Sequence, residues 1–157
     1  MNRIVTGRDQ DGRPVIIHRG TPPTVIEAGR YRTTELWVSG PGARPARPGA
    51  DPSAGDWALE PPPGGSCFRI VEIAPGAAAD AGDGAGAAGH EEFQGAHATS
   101  TLDYVTVLRG EVTLVVGDAE VTLGPGDSVV QQPGVPHDWQ NRSAEPAVMA
   151  GVLLSAR

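Results

Sequence analysis

Three side chains of this 157-residue chain have the types and spacing for metal chemistry: His97, Asp103 six residues later, and His137. Imidazole nitrogen and carboxylate oxygen suit first-row divalent ions, and two imidazoles with one carboxylate leave positions open for water, dioxygen or substrate. The expected cofactor is therefore one divalent metal, Fe, Mn, Ni or Zn, weakly held. Asp103 and His137 are also the candidate catalytic residues, with His137 able to serve in acid/base chemistry. Thr99 is a poor ligand but can hydrogen-bond a metal-bound water, and Trp139 and Gln131 join it as pocket candidates. The opposite reading stays open, in which His97 and His137 are hydrogen-bonded pocket residues without a metal.

Short strands must position these groups. If Thr99 to Arg109 is extended, period-two geometry puts Thr99, Thr101, Asp103, Val105 and Val107 on one face, and His97 joins them if the strand begins that early. That face is expected to look inward. The opposite face, with Leu102, Tyr104, Thr106 and Leu108, is too apolar to stand in water, so an amino-terminal arm or a second copy must cover it. A homodimer is the expectation. Gly110, Gly117-Asp118 and Gly124-Pro125-Gly126-Asp127 mark reversals between further strands, and Val148 to Leu154 closes the set. Val15 to His18, Thr33 to Val38 and Cys67 to Ile73 have strand composition, and no helical period of useful length occurs.

Length and composition indicate one globular domain, with residues 1–65 as an irregular amino-terminal arm and 66–157 as an all-β barrel. Pro, Gly, Ala and Arg dominate residues 40–65, where Trp57 is expected to anchor the arm in an apolar groove, with ligand stacking as the alternative. A Gly/Ala-rich insertion at about 76–92 reads as flexible and is placed to serve as a lid. The net charge of −7 and scattered arginines argue against a nucleic-acid partner. No apolar run is long enough to span a membrane, and no leader is visible, which suggests a cytoplasmic protein. The chain has no lysine, so Schiff-base chemistry is out, and its single cysteine, Cys67, reads as a buried inert residue. No serine-hydrolase signature appears.

The segment from His97 to Asn141 resembles the cupin family, whose motifs read G(X)5HXH(X)3-4E(X)6G and G(X)5-7PXG(X)2H(X)3N. His97 takes the first histidine position, Thr99 the second, Asp103 the carboxylate position, and Gly110 follows at the motif's spacing. Gly126, Gly134, His137 and Asn141 match the second motif. Thr99 thus replaces a ligand histidine, Asp103 is one methylene shorter than glutamate, and Pro133 adjoins Gly134. The resemblance extends to small bacterial cupins and to cupins of fungal polyketide clusters, some of them oxidoreductases. It implies a cupin-type jelly-roll barrel and a metal-dependent enzyme acting on a small organic metabolite, with an oxidoreductase or dioxygenase of secondary metabolism as the leading form. A metal-free or acid/base cupin (isomerase, cyclase or decarboxylase) and a non-catalytic small-molecule-binding cupin are the alternatives.

Overall fold

The computed structural model describes residues 1–42, 44–76 and 95–156. Eleven strands are present among them: β1 (Arg3–Arg8), β2 (Pro14–Gly20), β3 (Thr24–Ala28), β4 (Tyr31–Ser39), β5 (Ser66–Ile73), β6 (Thr101–Arg109), β7 (Val112–Val116), β8 (Ala119–Leu123), β9 (Ser128–Gln131), β10 (Asp138–Gln140) and β11 (Ala147–Ser155). They form a six-stranded antiparallel sheet in the order β3-β4-β5-β11-β6-β9, a three-stranded sheet β10-β7-β8, and the hairpin β1-β2. The core packs Ile73, Val107 and Met149 of the large sheet against Val112, Leu114 and Trp139 of the small one. This is the jelly-roll barrel expected from the sequence.

Alternation decides what enters the barrel. On β6 Thr101, Asp103 and Val107 are buried, while Tyr104 and Leu108 are 47% and 50% exposed. The arm therefore does not cover those two positions. On β11 Ala147, Met149, Gly151 and Leu153 are buried, so the register brings Glu35, Arg69, Gly151 and Val105 into one interior row across four strands. A second row joins Cys67, Leu153, Asp103 and Gln131.

The first 65 residues do more than pack on the barrel. Residues 24–28 and 31–39 are β3 and β4, and β4 hydrogen-bonds along most of β5, so two strands of the expected arm belong to the large sheet. The described residues of 40–65 are irregular apart from a 3-10 turn at Pro52–Ala54 capped by Asp51. Arg3 of β1 fixes that turn through its ion pair with Asp51 and by donating to the Leu36 carbonyl at 2.9 Å. Nearly all of the insertion at 76–92, with its proposed lid role, lies outside the described residues.

Gly110 shows why one tight turn tolerates no side chain. Its φ of +74° is left-handed, and a Cβ would sit 2.5 Å from the Pro146 carbonyl oxygen. The β6-β7 reversal can therefore pass beside the start of β11.

Candidate functional site

His97 and His137 face each other across an isolated antiparallel bridge: His97 N donates to His137 O at 3.0 Å and His137 N to His97 O at 2.9 Å. Their rings lie 4.7 Å apart between centroids. Each ring is oriented by a carbonyl two residues upstream, His97 Nδ1 by Gly95 O at 3.2 Å and His137 Nδ1 by Val135 O at 3.0 Å. A ring that donates Nδ1–H to a carbonyl carries its lone pair on Nε2, the tautomer that metal sites fix in this way. Burial pushes the His137 pKa down, with nearby His97 adding to the effect and the Val135 carbonyl opposing it.

The loop that carries His137 is itself tied down. Gly134 N donates to Thr99 O at 2.8 Å, and Gln131 Nε2 donates to Val135 O at 3.2 Å. Thr99 and Gln131 thus position the histidine pair, while the Trp139 ring stands edge-on to His137 at 6.2 Å. Asn141, buried, donates to the carbonyls of Ile73 and Glu145, so this motif residue holds the turn before β11.

Among the described residues no three His, Cys, Asp or Glu side chains converge closely enough to hold an ion. The expected triad of His97, Asp103 and His137 is therefore not assembled in this structure. Asp103 is fixed in the sheet between Leu153 and Gln131, and the Thr99 and Thr101 hydroxyls of the intervening chain bond each other at 2.9 Å. Its carboxyl is 6% exposed with Oδ1 lacking any partner among the described residues. Burial raises its pKa and Glu60 adds to this, against Thr101, Arg69 and His97.

The sequence reading missed Arg69, Glu35 and Glu60. Arg69 donates to Glu35 at 2.9 Å and to the Leu59 and Ala58 carbonyls at 3.0 and 3.2 Å, and its guanidinium lies 5.1 Å from the centre of the Trp57 ring. Trp57 is thus packed from the arm onto a buried cation. Glu60 accepts from the Ser100 amide at 2.8 Å and from its hydroxyl, strapping the arm to the loop that bears His97 and Thr99. Shared parity of Arg69 with Cys67, Val71 and Ile73 is the signal that could have found it. Cys67 is buried and its thiol is pushed up to about 12, chiefly by burial, which agrees with an inert role.

Residues 86–154 match the family described as Cupin domain. The chain is 36% identical over 81 residues to Phomopsin biosynthesis cluster protein C' of Diaporthe leptostromiformis, an alignment covering 52% of this chain and 35% of that protein. It thus spans about a third of that relative's length. It is 27% identical over 163 residues to the Cupin-domain-containing oxidoreductase srdB of Neurospora crassa, covering 99% of this chain and 74% of that one. Among solved structures, a Cupin 2 conserved barrel domain protein from Salinispora arenicola superposes with a TM-score of 0.51 at 18% identity, over 83% of this chain and 82% of that one. No helix among the described residues is long and apolar enough to cross a membrane.

Proposed function

We propose that the barrel pocket of this chain, which is similar to the Cupin domain over residues 86–154, binds one divalent metal on His97 and His137 and acts on a small, largely apolar organic metabolite as an oxidoreductase. The observation that carries this reading is the pair of facing imidazoles, each with Nδ1 on a carbonyl and Nε2 left for a ligand. A two-histidine set fits Fe, Mn, Ni or Zn with several positions open. Asp103 would assist from outside the set as a proton carrier, and Thr99 would support a water beside the metal. When bound, a redox metal supplies Lewis acidity and electron exchange. The oxidoreductase named among the relatives supports the reaction class.

The chain's own groups favour one further reading. Burial holds Asp103 toward its protonated form and His137 toward its neutral form, which is how an acid and a base are poised together. An isomerase, cyclase or decarboxylase using this pair is the second reading, and activity retained without oxygen would separate it from the first.

Titration calorimetry with Fe(II), Mn(II), Ni(II) and Zn(II) tests the metal site. One ion should bind per chain, binding should vanish in His137→Ala, and His18→Ala should leave it intact. If none of the four ions binds the wild type, the metalloenzyme reading is wrong and a ligand-binding or acid/base cupin replaces it.

A further inference from the structure

Among the described residues, Arg69 retains a hydrogen-bond donor with nothing to bond. The residue is 3% exposed, and it lines both a cavity of about 80 Å³ shared with His97, Thr99 and Trp139 and a cavity of about 330 Å³ under residues 52–62. Its two terminal nitrogens are engaged by Glu35, the Ala58 and Leu59 carbonyls and the Cys67 sulfur. Its Nε has no acceptor among the described residues. A buried donor left unpaired is destabilising, so an orphan in an otherwise well-bonded side chain calls for a partner that arrives from outside. The surrounding contacts hold the guanidinium rigid, so that partner meets a preorganised donor.

The strand beside it supplies the room. Arg69 pairs in register with Gly151, which in turn pairs with Val105. Glycine inside a strand costs packing and entropy. Here neither backbone nor crowding requires it: Gly151 has no positive φ, and a Cβ would meet only Leu153 at 3.7 Å and Val105 at 3.9 Å. What the missing side chain leaves is open space in the smaller cavity, which Gly151 lines together with Arg69.

We propose that this cavity is a subsite for a small neutral carbonyl compound, its oxygen on Arg69 Nε–H and its apolar body against Val71, Val105, Met149 and Leu153. Charge selects a neutral acceptor over a carboxylate. The Arg69 cation is already matched by Glu35 at 2.9 Å, so a bound anion would bring an uncompensated negative charge into the interior. The volume of about 80 Å³ equals two to three waters at about 30 Å³ each, enough for a carbonyl fragment of about four or five heavy atoms. A larger ligand extends past Leu59 toward the second cavity. The other end of the fragment lies toward His97 and Thr99, so the inference rests on the reading of this pocket as the place where the metabolite is held.

The test is ¹H–¹⁵N NMR of the metal-free protein, following the Arg69 Nε–H signal assigned through its own side-chain carbons, during titration with 2-butanone and with sodium propionate of like size. Butanone should shift the signal saturably, propionate should bind at least about tenfold more weakly, a difference of about 1.4 kcal/mol, and Gly151→Val should remove the butanone response while the remaining spectrum stays folded. Gly151→Ala serves if the larger side chain disturbs the sheet, and it should weaken butanone in the same direction. The proposal is overturned if Nε–H ignores butanone and contacts only water, if propionate binds as well as butanone, or if both glycine variants respond like the wild type. Because no metal is present, a null result in metal calorimetry leaves this outcome untouched, and failure here leaves the histidine pair untouched.

Discussion

Replacing Asp103 by asparagine should stabilise the protein at pH 8 and leave it almost unchanged near pH 4. The carboxyl is buried with Oδ1 unpartnered among the described residues, and the Thr101 hydroxyl gives its proton to Thr99 at 2.9 Å. A charged Asp103 therefore keeps an unsatisfied acceptor and a charge in a buried site, whereas a protonated Asp103 brings no charge there. Asparagine imitates the protonated form, since it is neutral and nearly the same size. The sign follows from the raised pKa: a carboxyl that holds its proton more tightly when folded stabilises the fold at low pH, and this contribution is lost as pH rises from the unfolded value through the folded one.

The expected gain is the cost of one unsatisfied buried acceptor, discounted for the partial help of Thr101 and Arg69, or about 1–2 kcal/mol at pH 8. For a chain of this size that corresponds to a rise in Tm of about 2–8 °C. Thermal melts of wild type and Asp103→Asn at pH 4, 6 and 8 measure it directly. Glu35 is also raised, by burial ahead of its Arg69 partner, and contributes to the slope of both proteins, so the difference between them isolates Asp103. Equal or lower stability of Asp103→Asn at pH 8 would mean that the carboxylate is satisfied when charged, and the case for a proton-holding group in the pocket would go with it.

Gly110→Ala should cost about 3 kcal/mol or more, combining about 1–2 kcal/mol for left-handed backbone with a Cβ 2.5 Å from Pro146 O, whereas Gly117→Ala, with a similar φ and nothing within 4 Å, should cost only the backbone part; urea unfolding compares them. The Cys67 thiol, buried and pushed up to about 12, should react with Ellman's reagent only after unfolding, and prompt labelling of the native protein would contradict its inert assignment. Ser100→Ala should lower the stability by about 1 kcal/mol by removing one hydroxyl bond to Glu60 while keeping the amide bond, with Glu60→Ala costing more, as denaturant titration would show. The register aligns Trp37, Phe68, Val152, Tyr104 and Val130 across five strands on the outer face, an apolar row expected to be covered by a second copy: light scattering should give twice the chain mass, and Tyr104→Lys should give half of that.

How much of this was legible in the sequence depended on whether a feature is local. The inward face of β6 was readable because alternation is a property of neighbouring residues, and Thr101, Asp103 and Val107 are buried as that alternation requires. The histidine pair was partly readable, since both residues and the Gly134 loop could be named, but not the triad: whether Asp103 reaches His97 depends on how β6 registers against β9 and β11, which spacing along the chain does not fix. The same limit hid the place of β3 and β4. Thr33 to Val38 has strand composition, yet its partner β5 begins 27 residues after Ser39, beyond a Pro- and Gly-rich stretch that reads as the end of a unit.

Arg69 shows the limit most sharply. Its parity marks it as interior, while its charge marks it as surface, and a reader of the strand alone must choose the surface because a lone buried cation is prohibitively costly. What reverses the choice is Glu35 at 34 residues' distance and two carbonyls supplied by an arm with no regular structure of its own. The arm is therefore part of the pocket's electrostatics, since the carbonyls of Ala58 and Leu59 help to hold inside the barrel a cation that borders the histidine cavity. Shortening residues 56–62 should accordingly disturb that cavity and Arg69 together, even though no residue of the segment belongs to the recognisable histidine motif.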